Sequence, residues 1–579
     1  MAVEATAEFH WADYLVLSIM LVISTAIGFY AAFRKGAQRT TSDYLMGGRK
    51  LQWFPVSMSV LASFLSAVSV LGTPLEVYIF GSSFMLYSLA FVVSIPITAH
   101  VFIPFFYKLK LTSVYEYLEL RFNRIIRLLG SMVFSLQMVF YMAIVLYAPA
   151  IALSQVTNLS MLVSVLGIGV ICTIYTSLGG LRAVVYTDTF QVIIILLGIA
   201  TLITKGVVDV GGPGEVFDAD PTVRHTFWGL SLGGGVTALS LYAINQALVQ
   251  RYMAVSKLSH AQGIIYINLP ANAFMTTTLC LLGLVAYARY MHCDPFVTRR
   301  IKKFDQLIPL MVMDVLGEYP GLPGLFVACV FSAALSTVSS GVNALALVYL
   351  EDVAKPTYSA IRHTDMPDHL ATVVSKCLAV AFGLVTIGMA YLTGTMDQTL
   401  VNITLKSFGM TGGPLLGVFL LAMFFPCANS WGAGVGLLCG LSFSFWMGIG
   451  AILDGPKPSI LRLTPVDCLK PVSDVMGNTT TTMTSTTLAS MTSAMTNFTT
   501  QAPASVSARV GYNWIQGRIT SDTESDTISY RVGYNEIQGR RQSDTGSDII
   551  GYRVAYNQIQ GRTQSNTGSD TISYWVGYN

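Results

Sequence analysis

Between residues 11 and 453 the chain carries twelve mostly apolar runs, at 11–33, 53–80, 84–107, 125–154, 159–178, 184–204, 227–249, 263–288, 322–350, 370–394, 398–424 and 430–453. Each is about as long as the roughly 20 residues a helix needs to cross a 30 Å hydrocarbon core. A backbone in hydrocarbon must satisfy its own polar groups, so runs of this length read as helices. The expected fold class is therefore an all-α polytopic membrane protein. Charged residues make up only 11% of the 579, against about 25% in a soluble domain. A net charge of +3 leaves no footprint for nucleic acid. The 8 cysteines are scattered without a CxxC pair, which argues against a disulfide scaffold or a zinc ribbon. No HExxH, GxSxG or Walker pattern is present, so an enzyme is not expected.

The N-terminus, MAVEATAEFHWADY, is acidic rather than basic, and the first run is long enough to span, so it reads as a membrane helix and not as a cleaved signal. Lys and Arg favour the cytoplasmic loops. Arg34, Lys35, Arg39, Arg49 and Lys50 follow the first run, and Lys108, Lys110, Arg121, Arg124 and Arg127 follow the third. Arg182, Arg251, Lys257, Lys355, Arg362 and Lys376 fall on the same side. The N-terminus is expected outside, the C-terminus outside after twelve spans, and the location is the plasma membrane. The loop 289–321, with Arg299, Arg300, Lys302 and Lys303, is an outer exception that its length allows.

Residues 1–455 are thus expected to be the membrane domain, embedded in lipid. Residues 456–508 read as a Ser/Thr-rich outer linker with glycosylation sequons at Asn478 and Asn497. Residues 509–579 repeat every 22 residues, as RVGYNWIQGR at Arg509, RVGYNEIQGR at Arg531 and RVAYNQIQGR at Arg553. Each unit has few apolar residues to bury, so this tail is expected to be disordered.

Polar groups at membrane depth are costly and mark candidate sites. The second run crowds Ser57, Ser59, Ser63, Ser66 and Ser69 ahead of Gly72-Thr73-Pro74. Either it breaks, exposing carbonyl oxygens that suit Na⁺, or it is a continuous helix packed through small residues. In the ninth run Ser332, Ser336, Ser339, Ser340 and Asn343 share one helical face. That stripe could complete an ion's shell or serve as a packing face. Gly233-Gly234-Gly235 in the seventh run suggests a second break or a close crossing, five helices after the first. Lys406, inside the eleventh run, could attract an anionic substrate, form a structural pair or snorkel. Asp188 could cap a helix or stand on an ion path.

ASFLSAVSVLGTPLEVY (62–78), LTSVYEYLELRFNRIIRLLG (111–130), YTSLGGLRAVVYTDTFQ (175–191), LYAINQALVQRYMAVS (241–256) and GLPGLFVACVFSAALSTVSSGVNALA (321–346) resemble the solute:sodium symporter family. Within it the chain looks like the branch of sodium/iodide, sodium-coupled monocarboxylate and sodium-dependent multivitamin transporters. The resemblance implies a leucine-transporter-like fold, with an extra N-terminal helix, two inverted five-helix repeats and added helices. It places a co-transported sodium ion between the carbonyls of Ala62, Leu65 and Ser336 and the hydroxyls of Ser339 and Ser340, with Asp188 on the inward ion path. Substrate would lie near Phe64, Ser69 and Ala238, with the eleventh span, carrying Lys406 and Phe408, as an outer wall. Three departures stand out. Ala238 replaces a typical tryptophan, Tyr78-Ile79-Phe80-Gly81 lacks the usual arginine, and Lys406 replaces a small residue. The expected function is Na⁺-coupled import of a small organic monocarboxylate, such as a short-chain acid, biotin or pantothenate. An iodide-like anion carrier and a non-transporting sensor are the alternatives.

Overall fold

The computed structural model describes residues 9–33, 40–157, 159–212, 228–291, 293–394 and 398–453, together with the backbone of strands between 505 and 575. The chain divides into two units, Met1–Lys470 and Pro471–Asn579.

Every regular element described in the first unit is a helix. Helix α1 is Trp11–Phe33, α2 is Trp53–Phe64 and α3 is Ala67–Phe80. Helix α4, Ser88–Ile97, continues through a π-turn at Thr98–Phe102 into Ile103–Leu109. Then come α5 (Arg124–Val156), α6 (Met161–Asp209), α7 (Gly234–Ile244), α8 (Gln246–Tyr252), α9 (Leu258–Tyr290), α10 (Leu322–Tyr349), α11 (Asp368–Thr393), α12 (Leu400–Phe424) and α13 (Ser430–Leu453). Among the described residues nine helices are long and apolar enough to cross a membrane, and α2–α3 and α7–α8 are two further spans, each bent. At 49 residues α6 would be about 74 Å long if straight, more than twice the bilayer core. It is instead kinked at Gly180, whose φ of 63° and ψ of −167° are not helical. A Cβ there would meet the Tyr44 carbonyl oxygen at 2.5 Å, so only glycine fits. Counted as two spans, α6 restores the twelve runs of the sequence.

Helix α10 forms the core. It packs against α1, α5, α6 and α11, and 94% of its most apolar window is buried. Its N-terminus is held by the Asp13 carboxylate of α1, which accepts from the Gly321 and Gly324 amides at 2.9 and 2.8 Å. Glycines permit close crossings; a Cβ on Gly198 of α6, for instance, would lie 2.6 Å from Cys329 of α10.

Seven strands between Ser505 and Trp575 form one sheet in the order β1-β2-β3-β4-β6-β5-β7, counting along the chain. Its parallel pairings align equal positions of the repeat, Gln538 with Gln560 and Tyr552 with Tyr574. Segments such as SDTISYRV alternate in a two-residue period, and pairing each repeat with its copy satisfies the backbone without a large apolar core. Asn478 and Asn497 lie outside the described residues.

Candidate functional site

The first broken span departs from helix at Leu65, with φ −77° and ψ 71°, and at extended Ser66. Its two halves are bent by 50°. Ser66 caps the second half, α3, its hydroxyl accepting from the Ser69 amide at 3.3 Å. The break therefore precedes Gly72-Thr73-Pro74, and Pro74 sits inside continuous α3. The small residues there serve packing. A Cβ on Gly72 would meet Val401 at 2.3 Å, and one on Gly283 of α9 would meet the Pro74 carbonyl at 2.5 Å. The second break is also displaced from its glycines, here to a point beyond them. Gly229–Gly233 is a π-turn leading straight into α7, and the chain unwinds at Asn245 (φ −74°, ψ 118°) with a 56° bend.

Ala62, Leu65, Ser336, Ser339 and Ser340 are all buried, on the break and on the facing helix α10. The hydroxyls of Ser339 and Ser340 donate to the Ser336 carbonyl, the former at 3.0 Å, which leaves their oxygens able to accept. Asp188 is fully buried in α6 and accepts from Ser59 of α2 at 2.6 Å. It does not cap a helix, because α6 runs through it.

Arg251, counted above among cytoplasmic loop charges, is instead fully buried in α8. Its guanidinium pairs with Asp188 at 3.0 Å and also donates to the hydroxyls of Ser63 and Ser340. One side chain thus ties α2, α6 and α10 together beside the first break. Gln191, one turn along α6 from Asp188, is fully buried, and neither polar end has a partner among the described residues. The reading of the sequence missed both. For Arg251 the signal was there: Asn245, Gln246, Gln250 and Arg251 form a polar run at membrane depth that lipid would not tolerate.

A cavity of about 130 Å³ opens at the two breaks. Leu65, Ser66, Ser69, Asn245, Asn272 and Ser340 contribute to its wall, and Tyr141 packs against Phe408 there with ring centroids 4.8 Å apart. None of its lining residues is charged. Of the residues expected around substrate, Ser69 and Phe408 line it, whereas Ala238 is buried behind it, with Thr237 and Leu241 of the same helix taking the wall. The missing tryptophan therefore does not enlarge this cavity at Ala238. The side chain of Phe64 lies outside the described residues. Lys406 faces away, bonding Gln398 at 3.3 Å in a different cavity. Two residues along a helix turn about 200°, so Lys406 and Phe408 could not share one wall.

The break sets opposite charges side by side. The C-terminal end of α2 offers carbonyl oxygens, and the N-terminal end of α3 offers amides at the positive end of its dipole. One end suits a cation and the other an anion.

The chain matches the family described as "Sodium:solute symporter family" over residues 44–440. Human sodium-coupled monocarboxylate transporter 1 is 46% identical over 460 residues, covering 77% of this chain and 74% of that protein. Rabbit sodium-dependent multivitamin transporter is 45% identical over 462 residues, 77% of this chain and 72% of that protein. A Na⁺-coupled sialic acid symporter, solved in a substrate-bound outward-open state, superposes with a TM-score of 0.66 at 24% identity, over 78% of this chain and 99% of that one. The fold is leucine-transporter-like.

Proposed function

The chain belongs to the sodium:solute symporter family, and from that premise we propose that it imports a short-chain organic monocarboxylate together with Na⁺ across the plasma membrane. The observation that carries this reading is the first break, where α2 carbonyls and α3 amides meet at an uncharged cavity beside the α10 hydroxyls. Na⁺ is held by the carbonyls of Ala62, Leu65 and Ser336 and the hydroxyls of Ser339 and Ser340. The carboxylate lies against the α3 N-terminus near Ser66 and Ser69, with Phe408 and Tyr141 over its apolar part. Small-molecule pockets typically run to about 300–1,000 Å³. A cavity of about 130 Å³ therefore favours an acid of a few carbons over a ring-bearing vitamin.

Arg251 works against Na⁺. It occupies the Ser340 oxygen and neutralises Asp188, so Na⁺ and the guanidinium compete for the same groups, and Na⁺ entry weakens the tie between α2, α6 and α10. That is a population shift between states, which is what alternating access requires. One Na⁺ with one monoanion moves no net charge. A second Na⁺ lets the membrane potential contribute about 2.3 kcal/mol per 100 mV.

An outer N-terminus and an outer 291–321 loop agree with the disulfide at Cys293, a bond that persists in oxidising compartments. The deciding experiment is uptake of labelled lactate, butyrate, biotin, pantothenate and iodide into expressing cells, in Na⁺ and then in choline. Na⁺-dependent uptake of lactate or butyrate is expected. Uptake of iodide alone, or of none by protein present at the surface, would overturn the reading.

A further inference from the structure

The wall of the central cavity carries a polar group that the binding mode above leaves unused. Asn272, in α9, contributes to that wall and is fully buried. Its amide nitrogen donates twice, to the Tyr242 hydroxyl of α7 at 2.7 Å and to the Asn268 carbonyl one turn earlier at 2.7 Å. These bonds fix the amide's orientation, because a flipped amide would set its oxygen against the Asn268 carbonyl oxygen. They also use both of its N–H groups. The amide oxygen, Oδ1, has no partner among the described residues. Leaving a buried acceptor unmet is costly, and such groups are rare in folded proteins. Among the described residues, the other buried side-chain polar atom of this wall without a partner is Thr404 Oγ1 of α12. A hydroxyl both donates and accepts, so Thr404 suits almost any substrate oxygen. Asn272 Oδ1 accepts only.

We infer, on the basis of the monocarboxylate reading above, that Asn272 is a specificity-determining residue and selects a short hydroxy acid, whose hydroxyl donates to Oδ1. No lining residue of the cavity is charged. The carboxylate is therefore met by the amides of the α3 N-terminus, and the rest of the molecule is read by hydrogen bonds and shape. A plain fatty acid at neutral pH brings no donor, and the oxygen of a keto acid only accepts. Iodide brings no donor either. Each of these would leave Oδ1 buried and unmet. A site built around a substrate hydroxyl rejects analogues that lack it for this reason. The cavity of about 130 Å³ keeps the acid short, and Asn272 separates acids of equal length and charge.

The test is Na⁺-dependent uptake of a matched series by cells expressing the full chain. Lactate and 3-hydroxypropionate carry a hydroxyl donor; propionate, pyruvate and 2-methoxypropionate carry none. At least one hydroxy acid is expected to show a KM roughly tenfold below that of propionate, since it gains a bond and relieves an unmet acceptor. Pyruvate and 2-methoxypropionate should rank with propionate. Asn272→Leu, similar in size and without the amide, should bring the KM values of the hydroxy acid and propionate together. That variant also loses the bonds to Tyr242 and Asn268, so if it fails to reach the surface the wild-type ranking decides. Equal KM values for propionate and both hydroxy acids would overturn the inference, with a buried water meeting Oδ1 instead, and would leave the monocarboxylate reading standing. A preference shared by 2-methoxypropionate, or kept in Asn272→Leu, would overturn it too. Uptake of none of the series would overturn the monocarboxylate reading and the inference with it.

Discussion

At the second break the carbonyls that α7 leaves behind are taken up by tyrosines. Tyr252 donates to Tyr242, and Tyr115 donates to Ile244 at 3.3 Å. Gln246 anchors the same turn to the 112–114 loop through bonds of 2.8 and 2.9 Å. At the first break the described residues send no hydrogen bond to the carbonyls of Ala62 or Leu65. Buried carbonyls are nearly always satisfied, so the two breaks divide the labour. The second is sealed by protein and acts as a structural corner. The first leaves its oxygens for a guest. The arginine beside it is also incompletely satisfied, since Arg251 Nε has no partner among the described residues. Arg127, by contrast, bonds Asp352 and Glu119 and clamps the opposite end of α5 to the turn after α10.

If that division is right, Na⁺ dependence belongs to the first break alone. Ser339→Ala with Ser340→Ala should lower Na⁺-dependent uptake by roughly tenfold or more, as each lost ligand costs on the order of 1 kcal/mol. Surface expression should be unchanged. Uptake that keeps its Na⁺ dependence would remove these hydroxyls from the ion site. Arg251→Gln sharpens the contrast. It leaves the buried Asp188 uncompensated, a loss of about 3–5 kcal/mol when one partner of a buried pair is removed. Na⁺ can supply the missing charge at that position. Melting temperature should therefore drop in choline and recover in Na⁺. Arg127→Gln should drop it equally in both salts, because Asp352, 12 residues beyond Ser340 in the turn after α10, is about 18 Å further along the helix axis than the first-break hydroxyls. Equal behaviour of the two variants would break the comparison.

How far the sequence carried this picture differs between backbone and side chain. Span lengths, the serine stripe of α10 and the existence of two broken spans were all legible, because hydropathy and helical periodicity are local. The positions of the breaks were not. Glycine and proline pointed to 72–74 and 233–235, yet those residues answer to Val401, to α9 across the Pro74 carbonyl and to a π-turn. The chain unwinds instead where Ser66 and Asn245 cap the next helix, a signal present in the sequence but weaker to the eye than proline. Arg251 was misplaced because a count of loop charges cannot see an arginine folded back onto a carboxylate 63 residues earlier. Lys406 and Phe408 were assigned to one site although helical geometry alone sets them on opposite faces.

The second break offers a smaller effect. Tyr252→Phe removes one hydroxyl from a freed carbonyl and should cost about 1 kcal/mol of stability, seen as a lower melting temperature with an unaltered Na⁺ concentration for half-maximal uptake. A shifted Na⁺ dependence would mean that this break also touches the ion.

The mildest test lies away from both breaks, at the start of α12. Asp305, in the short turn Phe304–Gln306, accepts from the Leu400 amide at 3.3 Å. Burial pushes its carboxyl up to about 7, and nearby Glu76 adds to the rise, while the Leu400 amide and Lys303 work against it. The folded state therefore holds this proton more tightly than the unfolded chain, whose aspartate titrates near about 3.9. The stabilisation is complete below that value and is lost as pH climbs through about 7. Between pH 5 and 8 the wild-type melting temperature should fall by a few degrees more than that of Asp305→Asn, which keeps a neutral side chain of the same shape. The Na⁺ dependence of uptake should be the same in both proteins at either pH, because Asp305 anchors the N-terminal end of α12 and contributes nothing to the first break. Parallel melting curves would remove Asp305 as the titrating group. A pH-dependent change in Na⁺ affinity confined to wild type would instead tie the N-terminal end of α12 to the ion site, and the first break could no longer be treated as the sole seat of Na⁺ coupling.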